Sequence, residues 1–130
     1  MIGLDTNILV RYFAQDDPIQ SPRANQIIEE LTESSPGFIS LVALAETVWV
    51  LERSYGLSSA EIANILRTLL QASSLVVQNE VQVYAAMIAV QAESAGFSDA
   101  LIGELGIWAG CTSTLTFDRR AARLGSFQLA

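Results

Sequence analysis

The sequence predicts an α/β fold, a mostly parallel sheet of four to five strands covered by helices on both faces. Three observations carry this. Short apolar runs of strand length alternate with stretches of helical periodicity, no hairpin signal joins successive runs, and helix start and stop residues mark the boundaries. The chain has 130 residues and no linker-like stretch, low-complexity segment or internal repeat, so one compact domain over 1–130 is expected.

Met1 to Asp5 is a short apolar run cut off by Asp5-Thr6-Asn7, a strand whose C-terminal end turns into a helix beginning near Thr6. Ile8, Leu9, Tyr12 and Phe13 recur at helical spacing until Asp16-Asp17-Pro18 breaks the pattern. A second helix is predicted over about 21 to 33, with Ala24, Ile27, Ile28 and Leu31 on one face and Glu29, Glu30 and Glu33 toward water. Ser34 to Gly37 is a turn, Phe38 to Ser40 a second strand, and a helix over about 42 to 55 ends at Gly56. Ser58-Ser-Ala-Glu61 is a capping-box pattern that opens a helix through about Leu70, and Leu75 to Val77 reads as a third strand. A largely apolar helix over about 81 to 95 stops at Gly96. Ser98 or Asp99 then caps a helix through about Trp108, closed by Gly110. Ser113 to Phe117 is a fourth strand, and 118 to 124 a short helix or turn.

Composition removes whole classes of chemistry. There is no His, which excludes Ser-His-Asp and Cys-His catalysis and nearly all familiar zinc sites. All seven cationic residues are Arg, which excludes a P-loop lysine and Schiff-base chemistry. Carboxylates, hydroxyls and a metal ion remain. Cys111 has no candidate base to activate it and reads as a small buried side chain, and a single Cys forms no internal disulfide. Hydrophobic residues make up 51% and mean hydropathy is +0.37, a surplus that points to a buried protein interface, yet no apolar run is long enough to span a bilayer. Met1-Ile2-Gly3 has no basic signal-peptide start, so the cytoplasm is the expected compartment. A net charge of -7 disfavours passive attraction to nucleic acid, although Arg119, Arg120 and Arg123 cluster beyond Asp118.

Four acids interrupt apolar surroundings: Asp5 ends Met-Ile-Gly-Leu, Glu46 lies within Leu41 to Leu51, Asp99 opens Asp-Ala-Leu-Ile, and Asp118 closes Thr-Leu-Thr-Phe. A buried carboxylate without a partner is costly. Asp5 and Asp118 fall at the C-terminal ends of predicted strands, where open parallel sheets place ligand crevices, and Asp99 falls in a first helical turn. Each of these three also suits a plain helix N-cap. Glu46 does not, because Val42, Trp49 and Val50 flank it on an apolar helix that reads as buried; an ion pair with Arg53 is its structural alternative. Carboxylates brought together repel by roughly 4 kcal/mol per pair at 4 Å and an effective dielectric of 20. Hard oxygen donors without imidazole or thiolate suit Mg²⁺ or Mn²⁺, the usual agents of phosphodiester hydrolysis.

Leu4-Asp5-Thr-Asn-Ile-Leu-Val-Arg-Tyr-Phe13 with Asp16-Asp17-Pro18, then Leu44-Ala-Glu46-Thr-Val-Trp-Val-Leu51, Gly96-Phe-Ser-Asp99-Ala-Leu-Ile102 and Thr116-Phe-Asp118-Arg119 resemble, in order, the PIN-domain family and its VapC-like toxins. The resemblance implies a three-layer α/β/α sandwich and a Mg²⁺- or Mn²⁺-dependent endoribonuclease, the toxin of a type II toxin-antitoxin pair. It implies Asp5 and Asp99 as the firmest metal ligands, with Glu46 and Asp118 completing the shell directly or through water, one of them orienting the attacking water. Thr116 and Asn7 would hydrogen-bond around that shell, whereas Asp16, Asp17 and Glu104 have no match. It also implies a cognate antitoxin, here assigned to the helices at about 21 to 33 and 58 to 70, and a homodimer. Two alternatives stay open: a related metal nuclease acting on DNA or structured junctions, and a PIN-fold binding module without catalysis. A haloacid-dehalogenase-like phosphatase is set aside, since Asp5-Thr6-Asn7 lacks the second Asp and the chain lacks Lys.

Overall fold

Strand and helix alternate through most of the chain in a computed structural model that describes residues 1–130. The elements are β1 (Ile2–Gly3), α1 (Thr6–Ala14), α2 (Gln20–Glu30), β2 (Gly37–Ile39), α3 (Leu41–Tyr55), α4 (Ser59–Gln71), β3 (Leu75–Val77), α5 (Glu80–Gln91), α6 (Phe97–Ala109), β4 (Thr114–Thr116), a 3-10 turn at Ala121–Arg123, and β5 (Phe127–Leu129). Every strand pairing is parallel, as the absence of hairpin signals predicted. The five strands, within the expected four to five, pair as a three-stranded set and a two-stranded set. No helix is long and apolar enough to cross a membrane.

The chain forms two compact units, the first Met1–Ser58 with Thr68–Gln78, the second Ser59–Arg67 with Asn79–Ala130. In the first, β2 lies between β1 and β3, with Gly3 opposite Phe38 and Phe38 opposite Val76. The Leu4 N–H donates to the Phe38 carbonyl at 2.9 Å and carries the β1 ladder to the residue before Asp5. A Cβ at Gly37 would meet methyl groups of Leu31, Leu4 and Leu75 at 2.9, 3.0 and 3.2 Å, so these side-chain ends would have to shift to admit one. Helix α1 packs on α2 and α3, burying Leu9, Val10, Ala24, Leu44, Val48 and Leu51. Ser40 caps α3 by accepting from the Ala43 N–H at 3.1 Å. Gly56 ends it in a left-handed conformation with φ 65°, as predicted from the sequence.

In the second unit α5 packs on α6 around Val83, Ala86, Met87, Val90, Phe97 and Leu101, all buried. Strand β4 pairs with β5, Thr114 opposite Phe127 and Thr116 opposite Leu129. The sequence reading missed β5, since Phe127-Gln128-Leu129 supplies too few alternating positions for a strand signal. Helix boundaries moved where side chains cap locally. Helix α2 ends at Glu30 rather than 33 because Leu31 is extended and Thr32 and Ser35 close a turn on each other. Helix α5 ends at Gln91 rather than 95, with Ser94 folding back through its N–H and hydroxyl onto the Ala89 carbonyl. Gly96 is therefore the N-cap of α6, in place of Ser98 or Asp99.

Candidate active-site carboxylates

Asp5 follows β1 by two residues and is the N-cap of α1 in extended conformation. Its Oδ1 accepts the Thr6 N–H at 2.8 Å, and its carbonyl accepts from Ile8 and Leu9 at 3.1 and 3.4 Å. Capping accounts for this local geometry, but the carboxylate itself is exposed at the C-terminal end of a parallel strand. Thr6, which is buried, makes a second connection: its hydroxyl donates to Glu46 Oε1 at 3.5 Å. One threonine thus touches both candidate carboxylates of the first unit, Asp5 through its backbone and Glu46 through a long hydroxyl contact. Sequence reading missed Thr6, although a hydroxyl beside the strand-ending acid was the available signal.

Glu46 reaches this position from α3, the helix that follows β2. The structure corrects its expected setting. Ala43, Leu44, Thr47, Val48 and Leu51 fill the buried side of α3, while Val42, Glu46, Trp49 and Arg53 form an exposed stripe at helical spacing. The apolar residues on both sides of Glu46 in sequence do not enclose it, because Val42 is 74% and Trp49 56% exposed. Arg53 lies over the Trp49 ring, 5.7 Å from its centroid, and not against Glu46.

In the second unit, Asp99 is the third residue of α6 and half-buried, in the first turn where the helix dipole favours an anion. Asp118 lies two residues past β4 and is exposed. Its N–H donates to Thr116 Oγ1 at 3.0 Å and its Oδ1 accepts the Arg120 N–H at 2.8 Å, so Thr116 and the following turn fix its backbone. Asn7 is exposed on α1 and lines a cavity of about 270 Å³ with Ile8, Arg11, Ile19, Gln20 and Arg23; none of its hydrogen bonds ties it to Asp5.

Two of the unmatched acids, Asp16 and Asp17, have structural duties. Asp16 accepts from Arg11 at 3.4 Å and from the Tyr55 hydroxyl at 2.8 Å, which raises the Tyr55 pKa above the ordinary phenol value. Asp17 Oδ1 accepts the Gln20 and Ile19 N–H groups at 2.7 and 2.9 Å, and these bonds lower its pKa. Glu104 lines a cavity of about 320 Å³ in the second unit, beside Ile107, Leu124 and Ser126. Cys111 is exposed, which corrects its expected burial.

The four acids offer oxygen donors only, the kind that suits a hard divalent cation. Within neither unit are three or more Asp, Glu or Cys side chains gathered so as to hold a metal ion; Asp5 and Glu46 belong to the first unit, Asp99 and Asp118 to the second. Parallel strands alternating with helices, with acids just past the C-terminal ends of β1 and β4, define a mixed α/β protein. The chain belongs to the PIN domain family, whose profile matches residues 2–126. PIN domains are in general nucleases that work with divalent metal ions, and this chain has their fold. No curated protein matches the chain.

Proposed function

We propose that the chain is a Mg²⁺- or Mn²⁺-dependent endoribonuclease, the toxin of a type II toxin-antitoxin module. The observation that carries this reading is the Asp5–Thr6–Glu46 connection, in which one buried threonine orients two carboxylates at the end of β1. The four acidic motifs, present in family order, extend it to Asp99 and Asp118. By likeness to the family motifs these acids are the candidate ligands of the ion, which when bound would supply an activated water and neutralise charge developing on the phosphodiester. Asp5 and Asp99 are the principal ligands, and Glu46 or Asp118 orients the attacking water. Thr6 and Thr116 keep Glu46 and Asp118 in place through the hydrogen bonds at 3.5 and 3.0 Å.

The toxin assignment also explains the composition. A cognate antitoxin with basic side chains complements a net charge of -7, and it covers faces of α2 and α4, while a homodimer in the cytoplasm uses further apolar surface. The test is cleavage of one sequence as RNA and as DNA, in Mg²⁺ and in EDTA. Wild-type chain cleaves the RNA only with metal, and Asp5→Asn and Asp99→Asn abolish cleavage. Wild-type rates in either variant overturn the reading, and DNA cleavage at the RNA rate moves it to the broader nuclease class. A second reading, a PIN-fold binding module without catalysis, is favoured by the absence of three gathered acids within either unit. Calorimetric titration with Mn²⁺ separates the two, because a chain that binds no metal at millimolar concentration supports the second.

A further inference from the structure

Helix α3 completes its share of the core without Trp49. Leu44, Val48 and Leu51 are at most 1% exposed, while the indole stands on the opposite stripe, 56% exposed. That stripe is in phase with Glu46, three residues back or roughly one 5.4 Å turn of helix. The Arg53 guanidinium lies over the same ring, 5.7 Å from its centroid, at a distance where cation and π face attract. An exposed indole, a cation already seated on it and a proposed catalytic carboxylate therefore share one face of one helix.

We propose that Trp49 and Arg53 form a stacking platform for a base of single-stranded RNA beside Glu46, an inference that rests on the nuclease reading and assigns it a substrate contact. The base lies on the indole and Arg53 meets a flanking phosphate. The chemistry favours this occupant. Single-stranded RNA is held by stacking on aromatic rings and guanidinium planes, a term that does not depend on net charge. A chain with net charge -7 and no Lys gains little from passive attraction to phosphates, so a charge-independent contact beside a local cation suits it.

The test uses the whole chain carrying Trp108→Phe, which leaves Trp49 as the one indole. A short single-stranded RNA oligonucleotide is titrated in EDTA, so that binding is read without cleavage. Saturating quenching of Trp49 emission is expected. Trp49→Ala should weaken binding of the labelled oligonucleotide by about 5- to 100-fold, with Trp49→Phe keeping most of the affinity. In Mg²⁺, Trp49→Ala should raise KM by a similar factor and leave kcat nearly unchanged. Emission unaltered by RNA, or wild-type affinity in Trp49→Ala, overturns the platform. So does an emission shift that follows protein concentration alone together with a doubled mass in sedimentation, which places a second copy on this face. Quenching without cleavage by the wild type sinks the nuclease reading and leaves the platform standing. Cleavage without quenching does the reverse.

Discussion

At the residue scale the chemistry depends on what each carboxylate touches, and Thr6 decides this for two of them. Its N–H holds Asp5 and its hydroxyl holds Glu46, so Thr6→Val keeps the first bond and removes the second. Outer hydrogen bonds of this kind typically contribute about 10- to 100-fold to metal affinity or activity. On the proposed ribonuclease reading, Thr6→Val is expected to slow RNA cleavage by up to that factor while leaving the thermal midpoint within a few degrees of wild type, as checked by initial rates beside a melting curve. The four acids were legible in the sequence because each interrupts an apolar stretch; the setting of Glu46 was not. Its apolar neighbours at 42 and 49 read as burial, but a helix with a complete core face can expose Val and Trp on the other side. Thr6 was illegible for a related reason, since a threonine after an N-cap is common and only the fold brings Glu46, forty residues away, to its hydroxyl.

At the scale of elements, sequence reading did best where one residue type forces the outcome. Gly56 ends α3 because the next backbone position is left-handed, and Leu75–Val77 is a strand because three β-favouring apolar residues follow a polar turn. It did worst where a side chain outside the apolar pattern ends a helix, as Ser94 does beyond α5 and the Thr32 turn beyond α2. The start of α2 shows how such contacts govern stability. The Gln20 and Ile19 N–H bonds hold the folded Asp17 pKa below 3.8, so the stability they add is full above that value and is lost as pH falls through the lower, folded one. Asp17→Ala should accordingly melt below wild type at neutral pH, with the gap closing once pH drops under 3.8, as followed by circular dichroism across an acid series. Packing at α6 yields a sharper prediction. A Cβ at Gly103 would overlap Ser126 and meet Phe127 at 2.8 Å, so Gly103→Ala should destabilise the chain by about 1–3 kcal/mol in denaturant unfolding.

At the scale of the molecule, charge and composition constrain more than shape does. With 14 acids, 7 arginines and no His or Lys, the chain attracts a polyanion weakly by charge alone. If the acids hold a cation, Mn²⁺ should stabilise the folded chain by roughly 2.7 kcal/mol at a hundredfold excess over its Kd, seen as a thermal midpoint that climbs with metal concentration and falls back in EDTA. Asp5→Asn should flatten that climb while leaving α1 capped, since Asn caps a helix as well as Asp does. The α/β class with parallel strands was legible from alternating segments; the division of the strands into a sheet of three and a sheet of two was not, because runs of two or three residues say nothing about their neighbours. Last, the lone thiol affects how any association must be measured. Cys111 is exposed and unpaired, so two copies can be joined by air oxidation at a surface loop without any symmetric interface. A doubled band on a non-reducing gel would then reflect storage rather than biology. Molecular mass belongs in fresh reductant or in Cys111→Ser, where only a non-covalent contact can produce a dimer.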